Sequence, residues 1–77
     1  MGKVEDFYSH VQVMALILKS DVAVGDTIRV KGHTTDIVQK LDSMQINHAA
    51  VTAARAGESV GIKINERCRK GDRVYKI

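Results

Sequence analysis

Basic side chains, which can bind phosphate or carboxylate groups, are concentrated near the C-terminal end of the sequence. The last fifteen of the 77 residues contain six basic and two acidic side chains, a local charge of +4, whereas the whole chain carries +3. Close-set cations reinforce one another's potential, so this distribution predicts a contact with phosphates or with an acidic partner. Solvated strand faces that are charged for solubility are the alternative, and it stays open. The six basic residues are Lys63, Arg67, Arg69, Lys70, Arg73 and Lys76.

No arrangement of residues typical of an enzyme is present. The sequence lacks a GxxxxGK[ST] phosphate loop, so we expect no GTP binding, and it lacks HExxH and paired CxxC spacings. Ser9 and His10 are adjacent, but neighbours on a strand point to opposite faces and cannot act as a catalytic pair. His10, His33 and His48 are too widely spaced to suggest metal ligands. We therefore predict a protein that is not an enzyme and has no catalytic residue, metal site or cofactor.

The single cysteine, Cys68, admits two interpretations. Arg67, Arg69 and Lys70 flank it in the sequence, and nearby cations lower the pKa of a thiol, which would favour a reactive thiolate. An incidental, half-buried cysteine is the alternative. One unpaired cysteine and no apolar N-terminal signal segment favour a cytoplasmic location, and no apolar run approaches the roughly 18 residues of a membrane span.

A short pattern of glycine, acid, any residue and β-branched aliphatic occurs three times and indicates turns that lead into strands. It is found at Gly25 to Ile28, Gly57 to Val60 and Gly71 to Val74. Glycine adopts backbone conformations that other residues resist, the acid is expected to stay solvated, and the aliphatic residue begins the buried row. Apolar and polar residues then alternate with a period of two, which predicts strands with one buried and one wet face.

The remaining segments complete an all-β prediction. Residues 35 to 48 read as one long strand whose inward face switches near residues 41 to 43 through a β-bulge. The alanine-rich segment from Ala49 to Arg55 reads as a compact loop with at most one helical turn. We expect Phe7, Tyr8 and Tyr75 in the core of so small a protein. The sequence thus predicts one domain over residues 1 to 77, a small closed antiparallel barrel of six to seven strands.

Five segments, in order along nearly the whole chain, resemble the second domain of translational GTPases such as elongation factor Tu. They are Gly2 to Val4, Val24 to Gly32, Ser43 to His48, Ala56 to Gly61 and Lys70 to Val74. A similar barrel closes the C-terminus of the collagenase-like peptidases. The sequence contains no GTPase domain, so the resemblance implies a free-standing copy of the barrel. It also implies that Gln45 occupies the place of a glutamate that lies against the terminal adenosine of tRNA, and that Arg29, Lys31 and His33 are candidate contacts to RNA backbone.

Two functional interpretations follow from these observations. The first is a non-catalytic binding module related to translation factors, which contacts RNA, tRNA or the ribosome through Gln45, His48 and the basic residues Lys63, Arg67, Arg69, Lys70 and Arg73. Phosphate contacts would then supply most of the affinity. The second is an accessory domain that docks onto a separately encoded peptidase-like or tRNA-modifying enzyme, since exposed strand edges invite pairing.

Overall fold

The computed structural model describes residues 1–77 and contains ten β-strands and no helix. This confirms the all-β prediction. Every strand pair is antiparallel. The strands are β1 Gly2–Tyr8, β2 Val13–Leu18, β3 Val22–Ala23, β4 Thr27–Lys31, β5 Asp36–Lys40, β6 Met44–Ile46, β7 Ala49–Val51, β8 Ala53–Ala54, β9 Ser59–Lys63 and β10 Arg73–Lys76.

Eight of the strands form one strongly curled sheet in the order β5-β4-β10-β1-β2-β9-β6-β7, and β3 pairs with β8 in a separate ribbon. The prediction of a closed barrel with six to seven strands is therefore wrong. The two outer strands, β5 and β7, do not pair with each other, so the sheet is a half-barrel with two free edges. Closure would need a continuous ladder of backbone hydrogen bonds around the sheet, and none joins these edges.

The three predicted glycine turns are confirmed and share one geometry. Gly25, Gly57 and Gly71 have φ values of 102°, 92° and 93°, and a strand begins two residues after each glycine. In each turn the N–H of the acidic residue donates to the carbonyl three residues earlier, at 3.0 to 3.1 Å. A type II turn requires this left-handed glycine, which explains the recurrence of the pattern. The acids are not all solvated, however, because the carboxylates of Asp26 and Asp72 accept the backbone N–H of Ala23 and Arg69, each at 2.9 Å.

Alternating burial along the strands builds a single core on the inner side of the curled sheet. On β4, Ile28 and Val30 are buried between less buried neighbours, and on β9, Val60 and Ile62 repeat the pattern, as predicted. Sixteen buried apolar residues form the cluster. They are Val4, Met14, Leu16, Leu18, Val22, Ile28, Val30, Ile37, Leu41, Met44, Ala54, Val60, Ile62, Ile64, Cys68 and Val74.

The long strand predicted for residues 35 to 48 is in fact two strands with different partners. β5 pairs with β4, whereas β6 pairs with β7 and β9. The predicted switch of the inward face is confirmed, since Leu41 and Met44 are both buried although they are three positions apart, which on a continuous strand would put them on opposite faces. It is achieved by a break in the strand rather than by a bulge. The register shift that the sheet does contain lies in β1, between Val4 and Asp6.

The alanine-rich segment forms strands, and the prediction of a helical turn there is wrong. Asn47 and His48 have φ values of 52° and 64° and make a two-residue turn that folds β7 back onto β6. Such a turn needs two left-handed residues, and asparagine and histidine enter that region more readily than most. Ala53 and Ala54 then pair with β3. Local helix propensity is overruled because so short a segment gains more from strand pairing than from an isolated helical turn.

A buried glutamine side chain spans the gap between β5 and the end of β9. The side-chain amide of Gln39 donates from Nε2 to the Lys63 carbonyl at 3.2 Å and accepts the Asn65 N–H on Oε1 at 2.8 Å. Its residue is only 8% exposed. The side-chain amide of Gln39 thus makes the two hydrogen bonds that one residue of a neighbouring strand would make. It closes part of the seam, the gap between β5 and the end of β9 where the backbone forms no ladder.

Candidate binding site

A groove of about 770 Å³ lies on the outer face of β2, β9 and β6. This volume lies within the range of small-ligand sites. None of its lining residues is Asp, Glu, Lys or Arg, although these types make up 27% of the chain. The groove is therefore uncharged, unlike the smaller concavity beside β3 and β8, which is lined by Asp, Glu, Arg and Lys side chains. It is lined by Tyr8, His10, Val11, Val13, Ala15, Gln45, Asn47, His48, Ser59, Val60 and Gly61.

The floor of the groove follows from strand register. Gly61 on β9 lies directly between Ala15 on β2 and Gln45 on β6. A Cβ at Gly61 would approach Val13 Cγ1 to 3.2 Å, so glycine leaves both the floor and its neighbour undisturbed. Because glycine and alanine are adjacent here, a ligand could approach the backbone of the sheet closely.

Two turns form the walls of the groove. The turn between β1 and β2 contributes Tyr8 and Val11, which are 46% and 48% exposed, together with His10. The turn between β6 and β7 contributes Asn47 and His48. Hydroxyl, amide and imidazole groups thus surround an apolar floor, an arrangement that suits an uncharged ligand with hydrogen-bonding groups.

The structure brings two of the predicted site residues, Gln45 and His48, together at this groove. Gln45 is exposed on β6, as expected for a contact residue. His48 lies in the turn rather than at the end of a strand, so its position on a predicted strand is wrong.

Most of the other predicted residues lie at a separate basic end, which we define by Lys3, Lys31, His33, Arg69, Lys70 and Arg73. Lys31, Arg73 and Lys3 are cross-strand partners in one row over β4, β10 and β1. The turn after β4 meets the turn before β10, because a Cβ at Gly32 would overlap the Asp72 carboxylate. All six residues are exposed, and none of them is in an ion pair.

The remaining predicted residues belong to neither surface. Arg29 is in an ion pair with Asp36, with Nε and Nη2 each donating at 2.9 Å to the two carboxylate oxygens, and this contact lowers the pKa of Asp36. Lys63 is exposed at the end of β9, opposite Val13, and Arg67 is exposed in the loop that follows. The exposed ion pair between Arg29 and Asp36 contributes little to stability, but it leaves Arg29 less available for a ligand.

The prediction that the aromatic residues fill the core is wrong for both tyrosines. Phe7 packs against the core, whereas Tyr8 and Tyr75 are 46% and 44% exposed. Tyr75 lies on the outer face of β10 opposite Arg29, since Val74 takes the inward position. β10 therefore packs on one face only.

Cys68 does not have the environment of a reactive thiolate. Its residue is 2% exposed, and burial, together with the negative charge of Asp72, raises the pKa of the thiol to about 11. Burial outweighs the flanking cations because their charged groups point into solvent. No three His, Cys, Asp or Glu side chains converge as metal ligands would. The structure also offers no helical segment of the length and apolarity needed to cross a membrane.

Several residues of these surfaces were not found from the sequence. Tyr8, His10, Val11 and Asn47 reach the groove only because β2, β9 and β6 are adjacent in the sheet, which carries two distant turns to the same surface. Ser9 and His10, between two strand-like segments, were an available signal for the first three, although the connection in the structure spans residues 9–12. Lys3 joins the basic end through its pairing with Arg73, and no local pattern indicates that pairing.

Comparison with solved structures identifies the fold. The chain superposes on the C-terminal domain of a Geobacillus thermoleovorans protein described as a U32 peptidase, with a TM-score of 0.90 over 99% of this chain and 89% of that one, at 15% identity. Its selenomethionine variant gives a TM-score of 0.88 at 14% identity, over 95% of this chain and 93% of that one. The fold is that of a U32 peptidase C-terminal domain.

Two curated relatives align with the whole chain in sequence. The whole chain aligns at 47% identity over 78 residues with an uncharacterised protease of Methanocaldococcus jannaschii, of which it covers 19%. It aligns at 28% identity over 79 residues with a collagenase of Porphyromonas gingivalis, of which it covers 22%. The chain thus spans about a fifth of the length of these relatives. No protein-family profile matches it.

These relatives decide between the two resemblances found in the sequence. The likeness to the C-terminal barrel of collagenase-like peptidases is confirmed for the fold. The likeness to the second domain of translational GTPases gains no support, because the relatives found are peptidases.

Proposed function

We propose that this chain is a non-catalytic accessory domain that works with a U32-peptidase-type catalytic domain, whether in the same polypeptide or as a separate partner. The observation that carries the proposal is the alignment of the whole chain, at 47% identity, with one fifth of a protease. The four fifths that the chain does not cover leave ample length for a catalytic domain. The one thiol of the chain is buried with a raised pKa, which does not suit a nucleophile.

The groove on β2, β9 and β6 is the surface that we propose for contact with polypeptide, either the catalytic domain or its substrate. Backbone amides are uncharged donors and acceptors, and the groove offers matching groups in Tyr8, Gln45, Asn47 and Ser59. Its apolar floor at Ala15 would supply the dry contact that such a site needs.

The first test measures association with the M. jannaschii protease from which the fifth that matches this chain has been deleted. We expect the 77-residue chain to bind the truncated protease in isothermal titration calorimetry. Tyr8→Ala should weaken this binding about tenfold, since a buried aromatic contact contributes about 1 to 2 kcal/mol to an interface. Gln45→Ala should weaken it in the same direction.

Tyr75→Ala is the matched control, because Tyr75 is equally exposed but lies outside the groove. It should bind as the unaltered chain does. Absence of any complex would contradict the accessory role. Equal losses for Tyr8→Ala and Tyr75→Ala would contradict the groove as the contact surface while leaving the accessory role in place.

Contact with RNA is a second candidate function, favoured by the exposed cations of the basic end, none of which has an ion-pair partner. Lys31, Arg73 and Lys3 are directly adjacent across three strands, and like charges in such positions destabilise a sheet. A bound polyanion would relieve that repulsion.

Lys70→Gln combined with Arg73→Gln tests this second candidate. In a filter-binding assay with tRNA at 50 mM salt, we expect about tenfold weaker binding and a log–log salt dependence shallower by roughly 1 to 2. The control is Lys19→Gln combined with Arg55→Gln, which removes the same two residue types elsewhere on the surface. RNA binding that is equally weak for the unaltered chain and both double variants would rule out this function.

A further inference from the structure

A recess lies in the floor of the groove, where Ala15 on β2 is the cross-strand partner of Gly61 on β9. Both residues face outward, because their neighbours along each strand are buried in the core. The recess thus contains one methyl group and one stretch of bare backbone. Side chains at these two adjacent positions cover little of the sheet, and its peptide groups are open to a ligand.

Longer side chains surround the recess. In the same row across the sheet, Asp6 on β1 is the partner of Ala15, and Gln45 on β6 is the partner of Gly61. The next outward positions along the two strands are about 7 Å away. They are occupied by Val13, Ile17, Ser59 and Lys63. The recess is therefore bounded by side chains in every direction along the sheet, which limits it to a group about the size of one side chain.

Rings and hydrogen-bonding groups line the groove around the recess. They belong to Tyr8, His10, Gln45, Asn47, His48 and Ser59. An aliphatic side chain would remove these polar groups from water without offering them a hydrogen bond, which is costly. A phenol or an indole instead combines a flat apolar body with one polar group at its edge. The recess therefore matches an aromatic side chain that carries a hydrogen-bonding group.

The charges around the groove favour a polypeptide over a nucleic acid as the source of this ring. A nucleobase is also flat and polar at its edge, but the phosphates attached to it need cations within reach. No Lys or Arg lines the groove. Among the side chains that bound the recess, Lys63 is a cation and Asp6 is an anion, so together they present no net charge to a phosphate.

We propose that the recess over Ala15 and Gly61 receives one tyrosine or tryptophan side chain of the polypeptide that the groove binds. The ring lies on the backbone of Gly61 and contacts Tyr8, and its polar group forms a hydrogen bond with Gln45 or Ser59. Aromatic residues that fill a pocket supply much of the binding energy of many interfaces. The inference rests on the function proposed above, because it names the group of the partner that the groove recognises.

The test uses small probes and needs no partner protein. ¹⁵N-resolved NMR follows the chain during titration with N-acetyltyrosinamide to about 20 mM, and we expect a dissociation constant on the order of 1 to 10 mM for a ligand of this size. The amides of Ala15, Gln45 and Gly61 should shift most. N-acetylleucinamide should bind at least about fivefold more weakly, because its side chain leaves the polar groups of the groove without partners.

Three results of these titrations would overturn the proposal. The first is the absence of any shift at Ala15, Gln45 and Gly61, and the second is binding of N-acetylleucinamide as tight as that of N-acetyltyrosinamide. The third is tighter binding of adenosine, which would make the recess a nucleobase site. The accessory function is decided separately by the calorimetry with the truncated protease, since that protein is absent from these titrations.

Gly61→Val tests the location of the bound ring. The backbone of Gly61 is not in the left-handed region, so valine suits the strand. Its side chain would fill the recess, where a Cβ already approaches Val13 Cγ1 to 3.2 Å. We expect binding of N-acetyltyrosinamide to weaken at least about tenfold. Gly61→Ala adds a single methyl group and should weaken binding about threefold, so it tests the same position if the larger variant does not fold.

Ala50→Val is the matched control for the variants of Gly61. Ala50 lies in the same row, on the far side of Gln45, and does not line the groove. It should bind N-acetyltyrosinamide within about twofold of the unaltered chain. Circular dichroism checks that each variant is folded. If the folded variants of Gly61 bind as tightly as Ala50→Val does, the ring lies elsewhere and the proposal is wrong.

Discussion

Replacing Gln39 with leucine should lower the free energy of unfolding by about 2 to 4 kcal/mol. The leucine keeps most of the side-chain volume, but it removes the donor to the Lys63 carbonyl and the acceptor of the Asn65 N–H. Both hydrogen bonds are part-buried, and a buried polar group that loses its only partner costs about 1 to 3 kcal/mol. For a domain of this size, such a loss lowers the melting temperature by about 10 to 30 °C.

Gln45→Leu is the matched control for Gln39→Leu. It makes the same substitution on β6, where Gln45 is exposed and its side chain makes no hydrogen bond to the protein. An exposed substitution of this kind changes stability by less than about 0.5 kcal/mol. Urea unfolding followed by circular dichroism measures both variants. Equal stability of Gln39→Leu and Gln45→Leu would show that the bridge between β5 and β9 does not stabilise the sheet.

The second large effect is expected for Gly32→Ala, which should cost about 1 to 3 kcal/mol. The backbone of Gly32 is not in the left-handed region, so alanine fits the local conformation. The cost comes from contact, because the added Cβ would overlap the carboxylate of Asp72. That carboxylate is held in place by the Arg69 N–H at 2.9 Å and is part of a buried residue, so it cannot move freely.

A double-mutant cycle separates this overlap from other causes. Asp72→Ala alone removes the acceptor of the Arg69 N–H and should itself be destabilising. In the Asp72→Ala background, however, Gly32→Ala should cost less than about 0.5 kcal/mol, which gives a coupling energy of at least about 0.5 kcal/mol. Thermal unfolding of the four proteins provides the numbers. The same cost for Gly32→Ala in both backgrounds would assign the effect to something other than the carboxylate.

The elements that were predicted correctly have local causes. A left-handed glycine followed by an acid determines each of the turns at Gly25, Gly57 and Gly71. The alternation that follows determines which side of β4 and β9 is buried. Both signals involve only residues within a few positions of one another, so one sequence is enough to read them.

The elements that were predicted wrongly depend on partners far along the chain. Ala49 and Ala50 form a strand because Ile46 and Gln45 lie opposite them, although alanine itself favours a helix. Tyr75 is exposed because β4 and β10 leave its side without a covering layer. Propensity is a weak prior, and tertiary pairing overrides it in short segments.

The candidate surfaces were predictable only in part. The basic character of the C-terminal residues and the exposure of Gln45 could be read directly, since charge and strand phase are local properties. The division of the candidate residues between a neutral groove and a basic end could not be read from the sequence, because it results from the order of strands in the sheet.

By itself the sequence determined an all-β chain with three glycine turns, a set of inward-facing aliphatic residues and an excess of cations near its end. The tertiary structure alone decided that the sheet stays open and that Gln39 bridges β5 to the end of β9 where no backbone ladder forms. The physical reason is that turns and side-chain alternation are properties of neighbouring residues. Sheet closure, by contrast, depends on which distant strands meet and on the hydrogen bonds that remain unpaired when they do.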